Sequence, residues 1–157
     1  MDESRQAQRQ HTRIPLVREV MHAPIVAVTV DDTLWTAMDA MFAANLHHLA
    51  VVDGGRAVGL ISDRDLAALW ALDPLGLKRR TAGRIAGPER PFVASDADAL
   101  DAGEHMLRHA MDAVLVVDAE QRPVGVLTDH DLLGVFVNLH RVPDAAPSRR
   151  HPGMLPD

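Results

Sequence analysis

The sequence predicts an α+β fold made of two β-α-β-β-α repeats, packed through their sheets with pseudo-two-fold symmetry. Three observations carry this. Gly59-Leu60-Ile61-Ser62-Asp63-Arg64-Asp65-Leu66 returns as Gly125-Val126-Leu127-Thr128-Asp129-His130-Asp131-Leu132, 66 positions later. Asp32-Thr33-Leu34 returns as Asp98-Ala99-Leu100 at the same offset. His48 to Asp53 returns as Ala113 to Asp118, and a longer turn in the second copy (Ala119 to Arg122) makes up the missing residue. A period of this size marks an internal duplication. One such unit buries little apolar surface by itself, so two sharing a core are the stable form.

Residues 1–13 are charged and glutamine-rich and read as a flexible arm; residues 14–72 form the first repeat. Leu16, Val17, Val20 and Met21 are spaced for a short amphipathic turn or helix that Pro24 ends. Ile25 to Val28 reads as a strand. Asp31-Asp32-Thr33 supplies helix-start chemistry for a run in which Leu34, Met38, Met41 and Phe42 recur at helical spacing. Leu49 to Asp53 is a strand, Gly54-Gly55 a hairpin turn, Ala57 to Ile61 the return strand, and residues 63–72 a closing helix. Residues 73–80 form a linker that Asp73-Pro74 opens, with Lys78-Arg79-Arg80 as a solvated basic run.

Residues 81–140 repeat the unit. Phe92 to Ala94 is the opening strand. Leu100, Gly103, Met106, Leu107 and Ala110 trace a helix stripe, and Ala113 to Val117 is a buried strand. The last helix runs from about Asp129 to Leu139. Residues 141–157 are rich in proline and arginine and read as a flexible tail.

Composition narrows the function. Apolar residues make up 47% of the 157 and charged residues 24%, the balance of a globular protein. There is no cysteine, hence no disulfide framework and no thiolate chemistry. No apolar run approaches the ~18 residues of a membrane span, and no secretory signal is visible, so a cytoplasmic location is expected. A net charge of −6 argues against broad nucleic-acid binding.

The duplicated unit resembles the CBS domain, and the tandem pair resembles a Bateman module. The resemblance rests on Val20-Met21, Asp32-Thr33-Leu34, His48 to Asp53 and Gly59 to Leu66, and on their counterparts Asp98-Ala99-Leu100, Val114 to Asp118 and Gly125 to Leu132. Thr81 to Ile85 departs from the usual apolar-methionine opening of a repeat. The resemblance implies a ligand-sensing regulatory module that binds AMP, ADP, ATP or S-adenosylmethionine in clefts between the repeats. It also implies a homodimer and a separate effector protein that reads occupancy. The adenosyl compound would act as a regulatory ligand, with no cofactor required and no catalytic group. A ligand-free interaction module is the alternative.

An adenosyl ligand needs a flat apolar slot for the base, a carboxylate for the two ribose hydroxyls, and N–H groups or cations for phosphate. Asp65 and Asp131 match the family's ribose-binding aspartate, and Ser62 and Thr128 match the hydroxyl beside it. The same four residues are what two helix starts require, so capping alone also accounts for them. Val28 with Leu49-Ala50, and Ala94 with Val114-Leu115, are candidate walls of the base slots. Thr29 and Ser95 end the opening strands and are candidate cleft residues. His47, His48, Arg64 and His130 are candidates for phosphate. Asp112-Ala113 stands in the second repeat where His47-His48 stands in the first, which predicts unequal phosphate affinity of the two clefts. His105 and His109 have ligand-like spacing on a helix but lack a third partner in the sequence, so no metal site is expected and both are read as exposed helix histidines.

Overall fold

The computed structural model describes residues 13–86 and 92–139. The expected C-terminal tail, and all of the expected N-terminal arm but Arg13, lie outside the described residues.

Two three-stranded sheets form the centre. In the first, β1 (Ala27–Thr29) runs parallel to β2 (His48–Asp53), which pairs antiparallel with β3 (Arg56–Ser62). In the second, β4 (Val93–Ala94), β5 (Ala113–Val117) and β6 (Pro123–Thr128) repeat that order and those directions. The β2–β3 hairpin turns at Gly54 and Gly55, whose φ values of +54° and +81° favour glycine. In the β5–β6 turn the Asp118 carboxylate accepts the backbone N–H groups of Glu120 and Arg122.

The helices are α1 (Val17–Val20), α2 (Leu34–Ala44), α3 (Asp63–Leu72), α4 (Ala99–Arg108) and α5 (Asp129–Leu139). Thr33 caps α2, its side chain accepting the Thr36 N–H, and Asn45 closes it in the left-handed conformation. The apolar stripes are narrower than the sequence periodicity suggests. On α4 the buried residues are Ala99, Ala102 and Met106, while Leu100 and Leu107 face outward; Phe42 on α2 and Trp70 on α3 are exposed as well. The helices cover only the outer face of each sheet, so one side of each helix is left over. The linker is more structured than expected. Pro74–Lys78 is a 3-10 helix that inserts Leu77, fully buried, into the first repeat's core. Its basic run has partners, Lys78 lying over the Trp35 ring and Arg80 reaching Asp73 at 3.6 Å.

Each sheet has its own helix-covered core, and a third cluster joins the sheets. Ala50 and Leu60 from the first meet Ala113, Leu115 and Val117 from the second. Small side chains at this seam let the sheets approach closely, and burying them supplies the apolar area that one repeat lacks.

The opening segments of the two repeats are exchanged. Residues 15–22 lie on the second repeat: the Val17 N–H donates to the Ala97 carbonyl, Arg18 N–H to Ser95 carbonyl, and His22 and Val126 exchange two backbone hydrogen bonds of 2.9 and 3.0 Å. Residues 80–86 lie on the first repeat, where Leu34 N–H donates to Arg80 carbonyl and Ala82 N–H to Asp32 carbonyl. The motif glycines make room for the crossings. A Cβ on Gly59 would sit 2.7 Å from the Ala86 carbonyl oxygen, and one on Gly125 would sit 2.7 Å from the His22 carbonyl oxygen.

Candidate functional site

The two copies of the opening motif end a strand and start a helix, and both helix starts are capped reciprocally. At α3 the Ser62 hydroxyl accepts the Asp65 N–H at 3.1 Å, and the Asp65 carboxylate accepts the Ser62 N–H at 3.0 Å. At α5 the Asp131 carboxylate accepts the Thr128 N–H at 2.8 Å and the Thr128 hydroxyl at 2.7 Å, while the Asp131 N–H reaches the Thr128 oxygen at 3.3 Å. The sequence reads these residues as helix caps or ribose anchors; the geometry shows the caps.

Pseudo-two-fold packing brings both helix starts to one edge of the paired sheets. There they line a single cleft of about 680 Å³ between the repeats. From the first repeat come Asn45, Leu46, His47, His48 and Ser62 to Arg64. From the second come Asp112, Val126 and Thr128 to His130. The exchanged N-terminal segment contributes His22, Pro24 and Ile25. An apolar floor is thus rimmed by imidazoles, one guanidinium and carboxylates.

This arrangement corrects one expectation. His47-His48 and Asp112 were expected to distinguish two separate clefts; they line the same one, which the Arg64–Asp112 contact crosses. The charges of the cleft are paired across it. Arg64 donates to Asp112 at 2.8 Å, linking the repeats, and His47 Nδ1 lies 2.7 Å from the Asp63 carboxylate. The His47 hydrogen bond holds the Asp63 carboxyl below the usual carboxylate range. Burial pushes the His48 imidazole down, with Asp112 and Asp63 pulling the other way.

Of the residues singled out from the sequence, His47, His48, Ser62, Arg64, Thr128 and His130 meet in the cleft. Asp65 and Asp131 sit at the first turns of the helices that open on it. The others lie elsewhere. Val28, Leu49, Ala50 and Val114 are buried in the cores and do not line this cleft. Thr29 is tied to its own turn, its N–H and hydroxyl both donating to Asp32. Ser95 accepts the Arg18 N–H through its backbone carbonyl.

His22 was missed. Its Nδ1 lies 3.0 and 3.1 Å from the two carboxylate oxygens of Asp131, whose side chain is only 7% exposed. Nothing in the sequence pairs residue 22 with the second repeat, since that contact depends on the segment exchange. The expectation for the helix histidines also needs correcting. His109 is exposed, but His105 is partly buried, its ring 4.4 Å from that of His109, and its Nε2 has no hydrogen-bond partner among the described residues. Burial lowers the His105 pKa. No group of three or more metal-ligating side chains occurs among the described residues.

A duplicated α+β chain whose repeats enclose a cleft lined by two capped helix starts belongs to the class of paired-repeat modules. The class has a family: the chain is a member of the CBS domain family, which matches residues 17–71 and 82–138. The CBS domain pair of protein MJ0100, in complex with 5′-methylthioadenosine and S-adenosyl-L-methionine, is similar in fold, with a TM-score of 0.69 and 24% identity over 80% of this chain and 98% of that one. The cytosolic domain of the Mg²⁺ channel MgtE, in complex with ATP, is 30% identical with a TM-score of 0.62, over 74% of this chain and 46% of that one. The uncharacterized protein MJ1404 of Methanocaldococcus jannaschii is 29% identical over 120 residues, which are 74% of this chain and 27% of that protein. The chain spans about a quarter of the length of the curated relatives it matches first.

Proposed function

We propose that this chain is a regulatory module that takes an adenosyl ligand in the inter-repeat cleft and signals its occupancy to a partner. The observation that carries this reading is the convergence of both motif copies on one cleft between the repeats. A ligand there touches both repeats and the exchanged N-terminal segment at once. It therefore favours the arrangement of the repeats that it bridges, a population shift rather than chemistry. The similar MgtE domain bound to ATP supports the ligand class. Asp65 and Asp131 are the proposed ribose acceptors. A carboxylate has about four acceptor sites, so each can keep its cap and still bind a hydroxyl. At Asp131 the ribose would displace His22. The module is read as a binding protein, with no catalytic role assigned to any residue.

A homodimer is the proposed assembly. Its support is the apolar surface left on the helices of both repeats and the linker, including Phe42 and Leu72 in the first repeat, Leu75 in the linker, and Leu100, Leu107 and Leu133 in the second repeat. Sedimentation equilibrium should give twice the chain mass, and Leu107→Asp should return it to a monomer; a monomeric wild type removes the assembly. The cytoplasm is the proposed location; no helix among the described residues is long and apolar enough to cross a membrane.

A thermal-shift panel of AMP, ADP, ATP and S-adenosylmethionine tests the ligand reading. A ligand at 100 times its dissociation constant adds about 2.7 kcal/mol. For a chain of this size the melting temperature should rise by roughly 5–10 °C. Asp131→Ala should melt a few degrees lower for loss of the cap, about 1 kcal/mol, and should lose most of the ligand-induced rise. A rise of undiminished size in both Asp131→Ala and Asp65→Ala would remove the ribose assignment. No rise with any of the four ligands favours the interaction-only module.

A further inference from the structure

Four imidazoles line the one cleft, and they come from separate parts of the chain. His22 belongs to the exchanged N-terminal segment, His47 and His48 to the start of β2, and His130 to the first turn of α5. The fixed charges on the same wall are Arg64 against Asp63, Asp112 and Asp129. With the imidazoles neutral, the wall is therefore two charges negative; with all four protonated it is two charges positive. Asp65 and Asp131, at the helix starts behind the wall, add to the negative side. Their carboxylates also occupy the Ser62 and Thr128 N–H groups at the two helix starts.

We infer that this cleft binds polyphosphate only with uptake of protons, its histidines becoming the cationic partners that the arginine alone cannot supply. The inference deepens the adenosyl-ligand reading and rests on it for the cleft's occupant. Arg64 is engaged by Asp112 and His47 by Asp63, so a phosphate chain entering the cleft competes with carboxylates for both. Those pairs are exposed and individually weak, which lets a ligand break them. A neutral imidazole repays the exchange poorly, whereas a protonated one offers two N–H donors and a charge. Imidazole is the side chain whose charge can change near neutral pH, which is why the cluster suits this role; at His48 burial works against protonation, with Asp112 and Asp63 working for it. A transition metal is a poorer occupant, since the four imidazoles are not grouped in threes with other ligating groups.

The test is the dissociation constant of three probes (ATP, adenosine and inorganic tripolyphosphate) between pH 8 and pH 6, by isothermal titration calorimetry on the full chain. Each proton taken up on binding raises affinity about tenfold per pH unit. ATP affinity should rise at least about tenfold over this range, and adenosine affinity should stay within about twofold. The terminal phosphate takes up its own proton near pH 6, which works against the trend, so the rise belongs to the protein. Titrations in two buffers of different ionisation enthalpy should show protons entering the complex. His47→Asn with His130→Asn, both on the surface, should flatten the ATP profile. Parallel ATP and adenosine profiles, or an unchanged slope in the double variant, overturn the inference. If adenosine binds at no pH while tripolyphosphate shows the pH dependence, the adenosyl reading falls and the proton-linked anion site stands. If none of the probes binds, the inference falls, and the S-adenosylmethionine arm of the thermal-shift panel decides the adenosyl reading.

Discussion

Gly125→Ala tests the segment exchange that builds the cleft. The added methyl group would lie 2.7 Å from the His22 carbonyl oxygen and 2.6 Å from the Met21 sulfur. The methionine can turn aside, but the carbonyl is backbone and accepts the Val126 N–H at 3.0 Å. Relief therefore requires moving the crossing segment. Overpacking of this kind costs about 1–3 kcal/mol. Losing the two hydrogen bonds between His22 and Val126 adds about 1 kcal/mol each at most. An expected loss of about 2–4 kcal/mol lowers the melting temperature by roughly 5–15 °C. Gly54→Ala is the control. Its φ is +54° but nothing lies within 4 Å of the new methyl group, so only the backbone penalty of about 1 kcal/mol applies. Scanning calorimetry of both variants measures the difference. Gly125→Ala within about 2 °C of the wild type, or no worse than Gly54→Ala, would refute the close crossing.

Leu77→Ala should cost about 2–5 kcal/mol, as for any fully buried leucine, although the residue lies in the connector; denaturant midpoints measure it, and a surface-like loss below about 0.5 kcal/mol would contradict its burial. Burial lowers the folded-state pKa of His48 below its unfolded value near 6.5. The unfolded chain then binds the proton more readily, so this contribution is complete above about pH 6.5 and is lost as pH falls through the lower folded value. Melting temperature against pH should fall less steeply on the acid side in His48→Asn than in the wild type; identical slopes would contradict the assignment.

Much of the fold was readable because the repeat supplied an internal control. The closing helices at 63–72 and from Asp129 follow from Ser62 and Thr128, whose hydroxyls cap them as their position in the motif implies. The glycines of the motif were visible as letters but not as contacts. Their reason is the passage of Ala86 and His22, which are distant in sequence. The periodicity of α4 misled for a different cause. Leu100 and Leu107 are apolar and correctly spaced, yet their helix buries the face carrying Ala99, Ala102 and Met106 against the sheet. The site was legible in part. Residues that belong to the motif (Ser62, Arg64, Thr128, His130) reach the cleft together. The pairing of His22 with Asp131, and the meeting of His47 with Asp112, depend on which edges the two sheets share, and no local pattern encodes that.

The exchange of opening segments also sets an order of events during synthesis. Residues 15–22 leave the ribosome well before the strand that receives them, which ends near residue 128. Val17, fully buried at the end, must wait as exposed apolar surface until almost the whole second repeat has been made. Contacts this distant in sequence close slowly, and an unfinished chain is most open to wrong association while they are missing. The first repeat can close its hairpin and two helices meanwhile, because β2, β3 and α3 are neighbours in sequence. His22 then arrives last, and the cleft exists only once both repeats are complete.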